Sequence, residues 1–273
     1  MNPSPLRQRM LDELQMRGFA PKTFESYIGA VKDLCRYYRL PPDQITPRQI
    51  QDWLLWQVKE KKLSPSTCRQ RFNGVRFLFH SVLKDTAFEA FDFTLPKRQQ
   101  RLPELLSRKE VALLLCTPES PLYRVLFSTC YGCGLRLSEL VQIQPQHIDS
   151  ERHLLHVVQS KGGKDRLVPI PISLLSRWRD LWRKHRSPDY LFPAAYSQGS
   201  RRTGHLCLSA PQKLYSKTKH QLGIRKHGGI HSLRHAFATH ALCAGMPIHQ
   251  LQRTLGHKHV STTTRYLHWV PDA

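Results

Sequence analysis

The sequence predicts a mainly α protein of two domains with one small β-hairpin, and three observations predict it. Apolar residues recur at i, i+3 and i+4 through almost all of the first 92 residues. A proline-containing basic stretch without periodicity, "FTLPKRQQRLPELL", then interrupts the pattern. Beyond it helical segments resume, but two short alternating runs flank "KGGK" and read as strands joined by a Gly-rich turn. A chain of 273 residues also exceeds what one core usually serves, so each domain is expected to bury its own.

In chain order, residues 1–92 divide into four helical segments, Leu6–Met16, Thr23–Tyr38, Thr46–Val58 and Ser66–Leu83. Their entries carry Pro21, Thr46-Pro47 and Ser64-Pro65, the residues that start helices without leaving a donor unused. Residues 93–106 are expected to be a linker and 107–273 a second domain. Ser107-Arg108-Lys109-Glu110 fits a capping box that opens a helix over 107–116, and another pattern covers 120–131. "HLLHVVQS" and "DRLVPIP" supply the hairpin strands. Further helices are expected near 173–185, 207–221, 231–243 and 247–254.

Charge narrows the function classes. Forty-two Lys and Arg against twenty Asp and Glu give a net charge of +22, which repels itself unless a polyanion is met. No apolar run approaches the roughly 18–20 residues that span a bilayer, and the basic residues are spread along the chain. A membrane partner is therefore not expected, and nucleic acid is. The N-terminal "MNPSPLRQRMLDELQM" lacks the uncharged core of a secretory signal, and seven cysteines form no regular framework. A cytoplasmic, nucleoid-associated protein is expected.

Several motifs fit a chemistry that their context does not support. Cys130 and Cys133 form a C-x-x-C, but no second pair stands at zinc-finger spacing. His231 and His235 lie i, i+4, yet Ser232 occupies the place where a zincin carries Glu. "SKGGKDR" lacks the spacing of a P-loop, and "GHKH" offers two histidines only. Small packed residues and solvated histidines are the simpler readings, so no metal and no cofactor is expected. In the fourth segment Arg69, Arg71 and Arg76 stand among aromatics, either as a solvated face or laid against DNA phosphates.

What accumulates is cationic. Arg136 stands among apolar residues in "GCGLRLSELVQI", where an unpaired charge is costly. Lys161 sits in the Gly-rich turn, "HSLRH" puts His231 and Arg234 on one helical face, and "LGHKHVSTTTRYLH" supplies His257 and Tyr266. Guanidinium forks neutralise the non-bridging oxygens of a phosphodiester, and a phenol can attack it.

In this order and context the residues resemble the tyrosine recombinases, the family of Xer proteins, phage integrases and Cre, and the Xer-like members above all. "GLRLSEL" resembles the first arginine box, "SKGGKDRLVPI" the lysine hairpin, "HSLRHAFATH" the H-x-L-R-H box and "LGHKHVSTTTRYLH" the terminal box with its tyrosine. The resemblance implies a helical core-binding domain followed by an α+β catalytic domain. It implies a site-specific DNA recombinase or integrase acting through a 3′-phosphotyrosyl link, for integration, excision or transposition of a mobile element. Tyr266 would be the nucleophile and Lys161 the acid for the leaving oxygen. Arg136 and Arg234 would hold the phosphate, His231 would be the acid/base near the tyrosine, and His257 a donor to the phosphate. Glu139 would orient Arg136. Arg69, Arg71, Arg76, Lys164 and Arg166 are the expected DNA contacts. Double-stranded DNA is the implied partner, with a homotetramer on two sites. Two other readings stay open on the residues alone, a type IB topoisomerase-like enzyme and a catalytically idle DNA-binding regulator. Two features depart from some relatives. The stretch between Ile170 and Ile230 leaves no room for the added insertion of integron integrases. Only "LHWVPDA" follows Tyr266, so protomers are expected to couple through another element than a long C-terminal helix.

Overall fold

The computed structural model describes residues 4–97, 104–158, 165–194 and 204–270. The chain divides into two compact units, Met1–Arg101 and Leu102–Ala273. Among the described residues no helix is long and apolar enough to cross a membrane.

The first unit is helical. α1 (Pro5–Met16), α2 (Pro21–Tyr38), α3 (Pro47–Lys59) and α4 (Pro65–Arg76) each begin with proline at the first helical position. There the missing N–H is no loss and the fixed φ suits the helix. Ser4, Thr46 and Ser64 cap three of these starts, and Thr46 completes a box with Gln49. Gly74 lets α4 press against α2, because a Cβ there would lie 2.8 Å from the Tyr27 backbone.

The fourth expected helix runs on to Leu83, but not as one α-helix. From Phe77 to Leu83 it widens into a π-helical turn. Phe77, Leu78 and Phe79 are all buried there. A short α5 (Thr86–Ala90), capped by Asp85, was not foreseen; it buries Phe88 against Phe79 and Phe72. Phe93 and Leu95, assigned to the linker, pack on this same core.

The second unit opens at α6 (Arg108–Cys116), where Ser107 and Glu110 form the expected box at 3.2 and 2.6 Å. Leu106, just before it, is already buried in the second core. α7 (Pro121–Gly132) runs through the middle of that core, and the five-residue α8 (Leu137–Val141) follows. Three antiparallel strands come next, β1 (Ile148–Asp149), β2 (Leu154–Val157) and β3 (Arg166–Pro169), in the order β1-β2-β3. The two-residue β1 lies outside the sequence prediction, being too short to show a period. Leu155 pairs with Val168 and Val157 with Arg166, so Leu155, Val157 and Val168 face the core while His156 and Leu167 face away. The turn between β2 and β3, with Lys161 and Lys164, lies outside the described residues.

α9 (Ile172–His185) packs on α7, where Trp178 Nε1 donates to Thr129 Oγ1 at 2.8 Å. α10 (Ser209–Gln221), α11 (His231–Cys243), α12 (Ile248–Leu255) and α13 (Val260–Thr264) complete the unit. Tyr215 of α10 holds Ser232 at 2.6 Å, which fixes the start of α11. A smaller apolar cluster joins Ala238 and Leu242 of α11, Leu251 and Leu255 of α12, and Tyr266.

Candidate active site

Arg136 precedes α8 in extended backbone, and Glu139, three residues on, folds back over it. Glu139 Oε2 accepts the Arg136 backbone N–H at 2.9 Å, and Oε1 accepts Arg136 Nη1 at 2.7 Å. The same carboxylate receives a second guanidinium as a fork: Arg166 Nη1 donates to Oε1 at 3.0 Å and Nη2 to Oε2 at 2.7 Å. A third, Arg234, stands 3.9 Å from Oε2. The Glu139 side chain is 6% exposed. Burial alone would raise its pKa, but the hydrogen bonds and charge of Arg166, and then Arg136, outweigh it and hold the carboxyl at about 2.

This arrangement corrects one expectation. Arg166 is no free hand for DNA: its side chain is 8% exposed, and its Nε donates to the carbonyl of Thr254 at 2.9 Å. The alternation of β3 turned it inward, where a buried guanidinium needs a carboxylate. Arg69 and Arg71 are likewise engaged within the first unit. Arg69 donates to the Pro96 carbonyl at 2.9 Å, and Arg71 pairs with Asp33 at 2.9 Å and reaches Gln57 Oε1 at 3.4 Å. Arg76 is exposed and has no hydrogen bond or ion pair among the described residues.

Arg234 is 1% exposed. Its Nη1 donates to the Gly134 carbonyl and its Nη2 to that of Leu255, both at 2.7 Å. Burial first, then Arg136, lowers its pKa to about 10, which still leaves it charged at neutral pH. The Gly134 carbonyl is available because Gly134 adopts φ +59°, and a Cβ there would meet the Phe237 ring at 2.4 Å. Arg136 is looser, with a 23% exposed side chain and a 3.4 Å bond from Nη2 to the Gly256 carbonyl. Three guanidiniums thus converge on one carboxylate. Among the described residues the cluster thus carries a surplus of two positive charges, in surroundings that strengthen their pull on an anion.

The histidines around this surplus are neutral. His257 Nε2 lies 3.1 Å from Arg234 Nη2, and since a guanidinium only donates, Nε2 accepts. The ring proton is then on Nδ1, 2.9 Å from Thr263 Oγ1. Burial, reinforced by Arg234, Arg136 and Arg166, lowers His257 to about 4. His231 opens to solvent at the start of α11; its partly enclosed ring, then His235 and the arginines, depress its pKa too.

Tyr266 is buried at 6% exposure, beyond α13. Its ring lies nearly parallel to that of His257, with centroids 6.3 Å apart. Burial raises its pKa, although Arg234 and Arg136 pull the other way, so the phenol keeps its proton. Its Oη is 2.9 Å from Nδ1 of His235. His231, expected to be beside the tyrosine, is instead edge-on to His235 at 4.7 Å. His235 is a site residue that the motifs do not single out, because its i, i+4 spacing from His231 suggests only a metal site. The structure brings Arg136, Glu139, Arg234, His257 and Tyr266 together, while Lys161 lies outside the described residues. Cys130 and Cys133 are core residues whose thiols burial pushes up to about 12.

Comparisons with known proteins place the chain in a family. Residues 103–271 match the phage integrase family, and residues 6–88 match the phage integrase N-terminal SAM-like domain. The chain is 37% identical over 265 residues to "Putative integrase/recombinase y4qK" of Sinorhizobium fredii, covering 97% of this chain and 84% of that one. It is 30% identical over 287 residues to tyrosine recombinase XerD of Pseudomonas aeruginosa, covering 97% and 92%. Among solved structures the fold is similar to that of the Tn1549 transposon integrase in complex with circular intermediate DNA. The TM-score there is 0.72 at 18% identity, over 96% of this chain and 94% of that one. The chain belongs to the phage integrase family of tyrosine recombinases.

Proposed function

We propose that Tyr266 is the nucleophile of a site-specific DNA recombinase and that the Glu139-centred arginines receive the phosphate it attacks. The protein is a tyrosine recombinase, an enzyme of DNA strand breakage and rejoining. The observation that carries the assignment of residues is the convergence of three guanidiniums on one carboxylate beside the Tyr266 phenol. A phosphodiester supplies the negative charge that such a cluster lacks, and the extra charge of the pentacoordinate transition state suits it better still.

Arg136, the looser of the two, turns onto one non-bridging oxygen, and Arg234, held by two carbonyls, meets the other. The arriving oxygen displaces His257 as acceptor of the Arg234 proton. His257 then presents an Nε2 proton to the phosphate, its Nδ1 becoming the acceptor of the Thr263 hydroxyl. Glu139 positions both Arg136 and Arg166. His231 lines the solvent edge of the site against His235, and Lys161 protonates the leaving 5′-oxygen. The bond energy stays in the 3′-phosphotyrosyl ester, so religation needs neither cofactor nor metal. The working assembly is a homotetramer holding two DNA sites at the nucleoid, and its reactions are the integration, excision or transposition of a mobile element. The helical unit, residues 1–92, and the catalytic unit, from 107, grip the duplex through phosphate contacts, with Arg76 and Lys164 among them.

The test uses a nicked suicide duplex carrying a site selected by the protein from random sequence. Wild-type protein should become covalently attached, and Tyr266→Phe should bind the same duplex equally well and form no adduct. An adduct in Tyr266→Phe refutes the assignment.

A further inference from the structure

His231 and His235 sit one helical turn apart on α11, and their rings meet edge to face at 4.7 Å. Only His235 reaches the tyrosine. Its Nδ1 stands 2.9 Å from Tyr266 Oη, and among the described residues this is the one hydrogen bond of that hydroxyl. The direction of the bond follows from acidity. Tyr266 is protonated at neutral pH, and a phenol is a strong donor. Burial, and then Arg234, keep the His235 imidazole neutral, which leaves one ring nitrogen with a free lone pair. The phenol therefore donates to Nδ1, and the Nε2 proton points away from the tyrosine.

We propose that His235, and not His231, takes the proton of Tyr266 during strand cleavage and returns it during religation. The inference rests on the assignment of Tyr266 as nucleophile. As Oη attacks, the O–H bond breaks toward Nδ1 and the Oη–P bond forms. The P–O5′ bond breaks, and the 5′-oxygen leaves with a proton from Lys161. His235 is then an imidazolium. On religation the 5′-hydroxyl returns its proton to the group that supplied it and attacks phosphorus, the Oη–P bond breaks, and the imidazolium proton goes back to the departing phenolic oxygen.

The surroundings make this transfer conditional on the substrate. The charged and titratable groups that face the His235–Tyr266 pair are His231 and Arg234 on the helix of His235, His257 beyond α12, Arg265 beside Tyr266, and Arg136 before α8. The arginines among them oppose an imidazolium. A phosphate seated on Arg136 and Arg234 offsets that opposition and raises the affinity of His235 for a proton. The tyrosine is thereby activated when DNA is in place and stays an inert phenol otherwise.

The experiment measures single-turnover adduct formation on the nicked duplex from pH 5 to 9 for wild type, His235→Asn, His235→Ala and His231→Ala. Asn keeps an acceptor near the Nδ1 position but cannot carry the proton away. His235→Asn should bind DNA as wild type does, yet cleave about 10²–10⁴-fold more slowly. Its residual rate should climb with pH, roughly tenfold per unit, as hydroxide replaces the missing base. His235→Ala should show the same loss and the same climb, which keeps the test decisive if Asn weakens α11. His231→Ala should keep the shallow wild-type profile even if it is slower. Cleavage by His235→Asn within a few-fold of wild type, or the hydroxide-dependent profile appearing in His231→Ala instead, overturns the inference. The Tyr266→Phe control separates the two levels. An adduct there overturns the nucleophile itself, whereas no adduct there with a fast His235→Asn overturns only the role of His235.

Discussion

At the scale of single residues, Glu139 and Gly134 show how much depends on one carboxylate and one missing Cβ. Glu139 receives Arg136 and Arg166 directly and has Arg234 at 3.9 Å. Glu139→Gln keeps the shape and removes the charge, which leaves the buried guanidiniums uncompensated. We expect it to cost roughly 3–5 kcal/mol at neutral pH, measured by chemical denaturation. The pH dependence has a definite sign. The folded pKa of about 2 lies below the ordinary 4.5, so the Glu139 contribution is complete above about pH 4.5 and fades as pH falls toward 2. Wild type should lose that stability across this window, and Glu139→Gln should lack that part of the acid limb. Gly134 offers its carbonyl to Arg234 from a left-handed conformation. Gly134→Ala adds about 1–2 kcal/mol of backbone strain and a methyl 2.4 Å from Phe237. It should lower the melting temperature and slow adduct formation together, because the same shift displaces the Arg234 anchor.

At the scale of elements, the site is built where helices end. α12 closes on Gly256 in the left-handed conformation, and the chain then turns so that His257 faces Arg234. The short α13 returns Thr263, fully buried, to His257 Nδ1 at 2.9 Å. Thr263→Val preserves the volume and removes the hydroxyl that selects the histidine tautomer. Adduct formation should fall about 10–100-fold, as loss of an orienting partner does at metal-bound histidines. Stability should change by only about 1 kcal/mol. A rate equal to wild type would show that the imidazole needs no such orientation. The sheet works in a comparable way: the register that pairs Val157 with Arg166 at the start of β3 ties that arginine to Glu139, the carboxylate that also holds Arg136.

At the scale of the molecule, the two units have separate cores, and the candidate catalytic residues all belong to the second. Grip and chemistry should therefore separate. A fragment beginning at Leu102 should keep its circular dichroism and still form the Tyr266 adduct on a short nicked duplex at low salt. Its affinity should fall, and its log–log salt dependence should be shallower by about 0.9 for each phosphate the first unit no longer neutralises. A folded fragment that binds as tightly, with the same slope, would assign the grip to the second unit alone.

The helices were legible from the sequence wherever a period, a proline and a cap coincide, as at Thr46-Pro47 and Ser107–Glu110, because helix hydrogen bonds and caps join residues three or four apart. The same locality made the Arg136–Glu139 pair readable before any fold was known. The π-turn at Phe77–Leu83, the two-residue β1 and the five-residue α13 were not readable, since packing against neighbours and not a local period produces them. Motif order could nominate Arg136, Arg234, His257 and Tyr266, because residue type and order are written in the chain. Their partners are another matter. Arg166 meets Glu139 across 27 positions, Arg234 meets His257 across 23, and His235 meets Tyr266 across 31. Which nitrogen accepts, which charge is left over and which histidine touches the phenol depend on how α8, β3, α11 and the segments after α12 and α13 pack together. Those contacts join groups far apart in sequence, so only the tertiary structure decided them.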